Sequence, residues 1–197
     1  MGATSCSPNY NISTSQNHIH YILSFTRDSQ SQAATLRFAK RFYVMISVQR
    51  QSGFLEMASV RDVAEYILTK LGSMSTWKLQ KLVYYSQAWH LVWEERELFS
   101  SKIEAWANGP VCPDLYAAHK GSFSITTVGG NASGLSKDEV STVDATISFY
   151  NKYTGQQLSD LTHREAPWLD ARQGMSPSER GTVEITTEKL AEYYGSL

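Results

Sequence analysis

Residues 75–95 read STWKLQKLVYYSQAWHLVWEE, and the way this run divides between helix faces decides the fold. Ser75 supplies the hydroxyl of an N-cap. At 3.6 residues per turn, Leu79, Leu82, Val83, Ser86, His90 and Trp93 fall on one stripe, while Tyr85, Ala88, Trp89 and Val92 cover a second. Gln80, Gln87 and Glu94, seven residues apart, leave only a narrow polar strip. A helix apolar on so many sides belongs at the centre of a domain, with other helices around it.

The flanking sequence supplies those helices. Upstream, Ser59 followed by Asp62 resembles a capping box with a shortened acid. It opens VRDVAEYILTKL, whose Val60, Val63, Ala64, Ile67, Leu68 and Leu71 form one apolar face and which Gly72 ends as a C′ residue. Downstream, Ile103, Ala105 and Ala107 alternate with Glu104 and Trp106, predicting a short strand that ends at Asn108-Gly109. Pro113 suits the first turn of a short helix, PDLYAAHK, closed by Gly121. GSFSITTVGGNASGLS reads as a flexible loop with a small strand at SITTV. Ser136 caps KDEVSTVDATISFYNKY, with Val140, Val143, Ile147 and Tyr150 directed inward. Gly155 separates that helix from QQLSDLTHR; a Pro-Trp turn, a polar loop at QGMSPSERG and a last helix TEKLAEYYG follow. The expected fold is mainly α: a compact helical domain with a small β-hairpin or short strands.

Composition bounds the function. The chain has 197 residues, enough for one ordinary domain and a tail. Residues 1–56 hold five basic and two acidic residues, net +3, whereas residues 57–197 hold thirteen and seventeen, net −4. The front 56 residues are rich in Ser, Thr, Asn and Gln, show no sustained periodicity before AATLRFAKRFYVMISV, and are expected to be mostly disordered. Three readings of that basic extension stay open: a stretch ahead of a true start at Met57, a partner-binding arm, or an organelle transit peptide. The expected domains are thus 1–56 and 57–197. The overall charge of −1 gives no global field that would draw the chain to nucleic acid or an anionic membrane. Two cysteines, Cys6 and Cys112, cannot build a disulfide framework, and no run approaches the roughly 18 apolar residues of a membrane span. A cytoplasmic protein is expected.

Candidate chemistry is sparse. The five histidines show no metal-ligand spacing, so neither metal nor cofactor is expected. His90, in mid-stripe, reads as a core histidine. His163 follows Asp160 by three residues, which suits either a carboxylate-oriented imidazole or an ordinary helix-surface pair. Cys112, in a turn, reads as a semi-buried filler or a histidine-activated thiolate. Gly129-Gly130 lacks the lysine-serine helix opening of a phosphate loop. The aromatic residues Trp89, Trp93, Trp106, Trp168, Tyr84, Tyr85, Tyr116 and Tyr150 exceed what packing needs and leave some as interface anchors. VAEYILTKLGSMSTWKLQKLVYY also draws as helix, turn and helix with Lys78 and Lys81 opening the second, the pattern of a DNA-binding regulator with EAWANGPV as a wing. Against it stand an acidic domain and a second helix with little face to spare.

The strings KLQKLVYYSQAWHL, IEAWANGPVCPDLYAAHKG, LSDLTHREAPWLDAR and EKLAEYYG, in that order, resemble the Panacea, or SocA-like, domain, a family that includes phage-associated proteins of the GepA type. The resemblance spans roughly residues 60–195. It implies an antitoxin that neutralises a cognate toxin protein, not an enzyme; in the SocA-like branch the toxin is delivered to the ClpXP protease. Homo-oligomerisation stays open. The positions carried by the motifs are Gln80, Tyr84, Gln87, Trp89 and His90 in the long helix, Trp106, Asn108, Gly109 and Pro110 at the turn, then His163, Pro167 and Trp168. Each reads equally as a partner-binding residue or as part of a fold signature.

Overall fold

The computed structural model describes residues 57–197. The expected N-terminal extension, 1–56, lies outside the described residues. Ser59 opens α1 (Val60–Leu71): its side chain accepts from the Asp62 N–H and Asp62 answers the Ser59 backbone, so the capping box is complete. Gly72 ends the helix at φ 75°, a conformation a side chain would resist. A two-residue strand β1 (Met74–Ser75) leads into α2 (Thr76–Glu94), capped by Ser75 and closed by Glu95 in the left-handed region. Then come β2 (Glu104–Trp106), β3 (Gly109–Val111), α3 (Pro113–His119), β4 (Ser124–Ile125), a 3-10 turn (Ala132–Gly134), α4 (Lys137–Tyr150), α5 (Gly155–Thr162), α6 (Ala166–Ala171) and α7 (Thr187–Tyr194). β1 pairs antiparallel with β4 and β2 with β3. The fold is mainly α with short strands, as expected.

The doubly apolar α2 is the hub, touching α1, α3, α4, α5, α7 and β3. Leu79, Leu82, Val83, Tyr84, Tyr85 and Ala88 are buried on it. Each of the larger apolar side chains contributes about 1.5–3 kcal/mol relative to exposure. The polar strip of α2 does not face water. Gln80 and Gln87 are buried, and each pairs with a strand of chain that passes over the helix. Gln80 Oε1 accepts from Cys112 N at 2.9 Å, and Gln80 Nε2 donates to Cys112 O at 3.3 Å and His119 Nε2 at 2.9 Å. Gln87 Oε1 accepts from the N–H groups of Leu98 and Phe99, and Gln87 Nε2 donates to Phe99 O. A primary amide presents one acceptor and two donor hydrogens, so it can satisfy backbone that has no ladder partner.

Other elements depart from expectation for similar reasons. On α4, Val143 and Tyr150 are buried as expected, but Val140 and Ile147 are only half-buried, and Glu139, Thr142 and Thr146 turn inward. Glu139 completes the Ser136 capping box and pairs with Arg96; the Thr142 hydroxyl meets His90 Nδ1 at 2.9 Å. Gly155 is the first residue of α5, where a Cβ would stand 3.0 Å from Lys78 N. The stretch expected as a flexible loop is gripped by α1. Glu65 accepts from the N–H groups of Val128 and Gly129, Asp62 accepts from Asn131 N, and Arg61 donates to Val128 O. No helix among the described residues is long and apolar enough to cross a membrane.

Candidate functional site

The motif positions part into two groups. Gln80, Tyr84, Gln87 and His90 are buried within the helical body. Trp106, Asn108, Gly109, Pro110, His163, Pro167 and Trp168 are drawn from three separate segments to one end of the domain, around the β2–β3 turn. Trp89 stands apart, half-buried, with its indole N–H donating to the Tyr150 hydroxyl at 3.1 Å.

The turn is tight because Trp106 pairs with Gly109 across only Ala107 and Asn108. Gly109 sits at φ 99°, and a Cβ there would come within 2.7 Å of Lys81 Cε and 2.9 Å of Thr162 Oγ1. Only glycine meets both demands. Beneath the turn, Lys81 is 3% exposed, and its ammonium donates to Pro110 O at 2.9 Å. No carboxylate pairs with it among the described residues. Burial alone brings its pKa down to about 7. A charged amine stripped of water and given a single carbonyl is costly, and release of the proton is the cheaper state.

The end of α5 clasps the turn from the side. Ser159 Oγ donates to Asn108 O at 2.5 Å, and Thr162 Oγ1 donates to Ser159 O. His163 caps α5 and stacks on Trp168 of α6, with ring centroids 4.0 Å apart. Trp168 Nε1 donates to Trp106 O at 2.9 Å, joining α6 to the turn. Pro167 is buried near the start of α6. Arg172, also buried, lies over the Trp168 ring and donates to the carbonyls of Ala105, Ser176 and Glu179. Arg180 lies over the Trp106 ring, 4.4 Å from its centroid. Burial first, then the nearby Lys81 charge, lowers the His163 pKa; Asp160 acts the other way.

Neither arrangement weighed for catalysis assembles. Asp160 accepts from Gln156 Nε2, and His163 Nε2 has no hydrogen-bond partner among the described residues, so no carboxylate orients the imidazole. Cys112 is buried, and burial pushes its thiol pKa up, away from a thiolate. No group of three or more His, Cys, Asp or Glu side chains stands ready for a metal among the described residues. The helix-turn-helix reading meets the same geometry. Lys81 is buried, Lys78 donates to Asn151, and the proposed wing packs against α5 and α6, so neither lysine that opens the second helix is held out toward a phosphate.

Behind the turn lies a second polar cluster that the sequence reading missed. Glu165 Oε2 accepts from the Tyr194 hydroxyl at 2.7 Å and Glu165 Oε1 from the Tyr85 hydroxyl at 3.2 Å. The Tyr84 and Tyr194 oxygens are 3.1 Å apart. The one Tyr194 proton goes to the carboxylate, so Tyr84 donates to Tyr194. Burial raises the Glu165 pKa, with the Tyr194 and Tyr85 hydroxyls opposing the rise, and burial keeps all three phenols protonated. In the sequence Lys81 reads only as a cation opening a helix, and Arg172 and Glu165 carry no signal of burial: His163 and Arg164 precede Glu165, and Asp170 and Gln173 flank Arg172.

Residues 79–169, from the second turn of α2 into α6, match the family described as antitoxin SocA-like, Panacea domain. No curated protein and no solved structure matches the chain.

Proposed function

We propose that the protein binds and neutralises a cognate toxin protein, on the premise that residues 79–169 match the family described as antitoxin SocA-like, Panacea domain. The family match is the observation that carries this reading, because it spans α2, the β2–β3 turn and the α5–α6 junction as one unit. The geometry supports it: the buried motif residues of α2 are committed to the helical body and to passing backbone, and the others gather around the β2–β3 turn. The reading is of a binding role. Residues 57–197 form the neutralising domain, with residues 1–56 an appendage. The protein works in the cytoplasm, where such toxins act, and the phage-associated members of the resembled family suit a prophage setting.

Growth of cells expressing the neighbouring gene tests the reading: alone, with the full chain, and with residues 57–197. Toxicity alone and rescue by both forms is the expected result. A harmless neighbour removes the main support. Neutralisation through the ClpXP protease would show as toxin levels that fall on co-expression and recover in cells lacking that protease; unchanged levels would leave direct binding as the mechanism.

A further inference from the structure

The small sheet has a third member. Residues 183–185 run antiparallel to β2, with Ala105 N donating to Val183 O at 2.9 Å and Ile185 N to Ile103 O at 2.8 Å around the Glu104–Glu184 bridge. Val183 thus directs its C=O and Ile185 its N–H toward the β2 side, and residue 184 must turn its own N–H and C=O to the opposite side. Those two groups, and the N–H groups of Thr182 and Thr186, have no hydrogen-bond partner among the described residues. Thr182, Val183, Glu184 and Thr186 are all exposed, Val183 at 44%. This is an open sheet edge, the feature natural proteins usually blunt with a proline, a lysine or a covering element.

The surroundings suit an added strand. Two hollows share Glu184, Ile185 and Thr186 as walls: one of about 190 Å³ closed by Pro167, Asp170 and Ala171 of α6, the other of about 240 Å³ closed by the stretch from Glu97 to Ile103. An extended chain alternates its side chains, so it can hydrogen-bond along the edge while alternate residues enter such hollows. The local charge selects its chemistry. Lys102 and Lys189 are occupied by Glu104 and Glu192, at 3.0 and 2.9 Å, whereas Glu97, Asp170, Glu184 and Glu188 make no ion pair among the described residues. The described domain as a whole is acidic.

We propose that the edge formed by residues 182–186 is a docking site that takes an extended, basic segment of a protein partner as an additional β-strand. The inference rests on the neutralisation reading, since the toxin is that partner, and it assigns the contact to a particular edge.

The test uses the full chain and the purified product of the neighbouring gene. Backbone amide exchange is measured on the chain alone and in the complex, and affinity is measured for wild type, Glu184→Pro and an Asp170→Lys/Glu184→Lys double variant. Proline removes only the outward N–H of residue 184, so the thermal midpoint should stay close to wild type. Slowed exchange at Glu184 and Thr186 in the complex is expected, with at least about tenfold weaker binding for Glu184→Pro and a comparable loss for the charge reversal. A complex that neutralises toxicity yet binds Glu184→Pro and the double variant as tightly as wild type overturns the edge assignment and leaves neutralisation standing. If those amides are already slow in the free full chain, its own basic N-terminal segment fills the edge and the partner assignment fails. A neighbour that is neither toxic nor bound removes the neutralisation reading and this inference together.

Discussion

Replacing Lys81 by methionine should make the protein more stable, and more so at lower pH. The amine lies 3% exposed beneath the Gly109-Pro110 turn, with one carbonyl as partner, and its pKa falls from 10.5 to about 7. Each pH unit of displacement corresponds to about 1.4 kcal/mol, so the native state penalises the charged form by about 5 kcal/mol. Methionine keeps the length and apolar stem but strands the Pro110 carbonyl, at a cost of about 1–2 kcal/mol. The net expectation is a gain of about 3 kcal/mol at pH 7. The sign of the pH dependence is fixed. Between pH 7 and about 10 the unfolded lysine keeps its proton and the folded one has released it, so wild-type stability rises with pH by up to about 1.4 kcal/mol per unit from this group. Lys81→Met lacks that contribution, and its advantage over wild type should shrink by that amount at each step. Urea unfolding followed by tryptophan fluorescence at pH 7, 8 and 9 measures the difference, in which every other titrating group largely cancels. A gap that stays constant across the three pH values would refute the buried-amine argument; a variant less stable than wild type at all three would show that the ammonium is paired by something outside this geometry. With the Lys81 charge gone, His163 should also titrate at a higher pH, which imidazole proton resonances would show.

Gly109→Ala should lose about 2 kcal/mol or more, because the new Cβ meets both the positive φ and Lys81 Cε; thermal unfolding reads it, and a neutral result would mean that the turn can move off α2. Tyr194→Phe strands the Tyr84 hydroxyl and takes one donor from Glu165, so it should cost about 2–3 kcal/mol in urea unfolding and push the carboxyl pKa higher still. Unchanged stability would exclude the relay of hydroxyls. Arg172→Lys replaces a fork that holds four backbone carbonyls by a single ammonium, and limited proteolysis should then cleave within residues 173–180 faster than in wild type. Equal cleavage rates would show that the loop is held by other contacts.

Much of this architecture is written in local chemistry. Ser59, Ser75 and Ser136 cap the helices that their positions announce, and the capping-box partners Asp62 and Glu139 stand three residues on. Such signals are short-range, so sequence alone carries them. Where long-range partners decide, the reading stops short. Gln80 and Gln87 look like a solvent strip because periodicity records polarity, not what lies opposite, and the Cys112, Leu98 and Phe99 backbone that they satisfy is 11–32 residues away. The six-residue α6 reads as a turn because Pro167 and so short a span show no apolar repeat; Trp168, bonded to Trp106 O, holds it in place. The clustering of Trp106, Gly109, His163 and Trp168 is invisible for the same reason, although each residue type is noticeable alone.

Burial also constrains where recognition can occur. A side chain that packs inside the body gives a partner no surface, and Gln80, Tyr84, Gln87, His90, Gly109, Pro110 and Pro167 are all buried. Their chemistry is committed: the amides to passing backbone, Tyr84 to the Glu165 relay, glycine and proline to a turn over Lys81. A change at any of them acts first on folding, so loss of neutralisation in such a variant says nothing about contact unless stability is measured beside it. Contact must come from exposed groups, and the open backbone edge at residues 182–186 lies beyond the matched span of 79–169. One segment thus builds the scaffold and another supplies the edge. An edge that recognises backbone asks little of its partner's sequence beyond extended shape and charge. A domain organised this way can keep its core fixed while residues around 170 and 184–188 set which basic strand it accepts. Exchanging only those exposed residues between two such proteins should therefore exchange partner preference with no change in unfolding midpoint, whereas exchanging buried motif residues should shift the midpoint and leave preference intact.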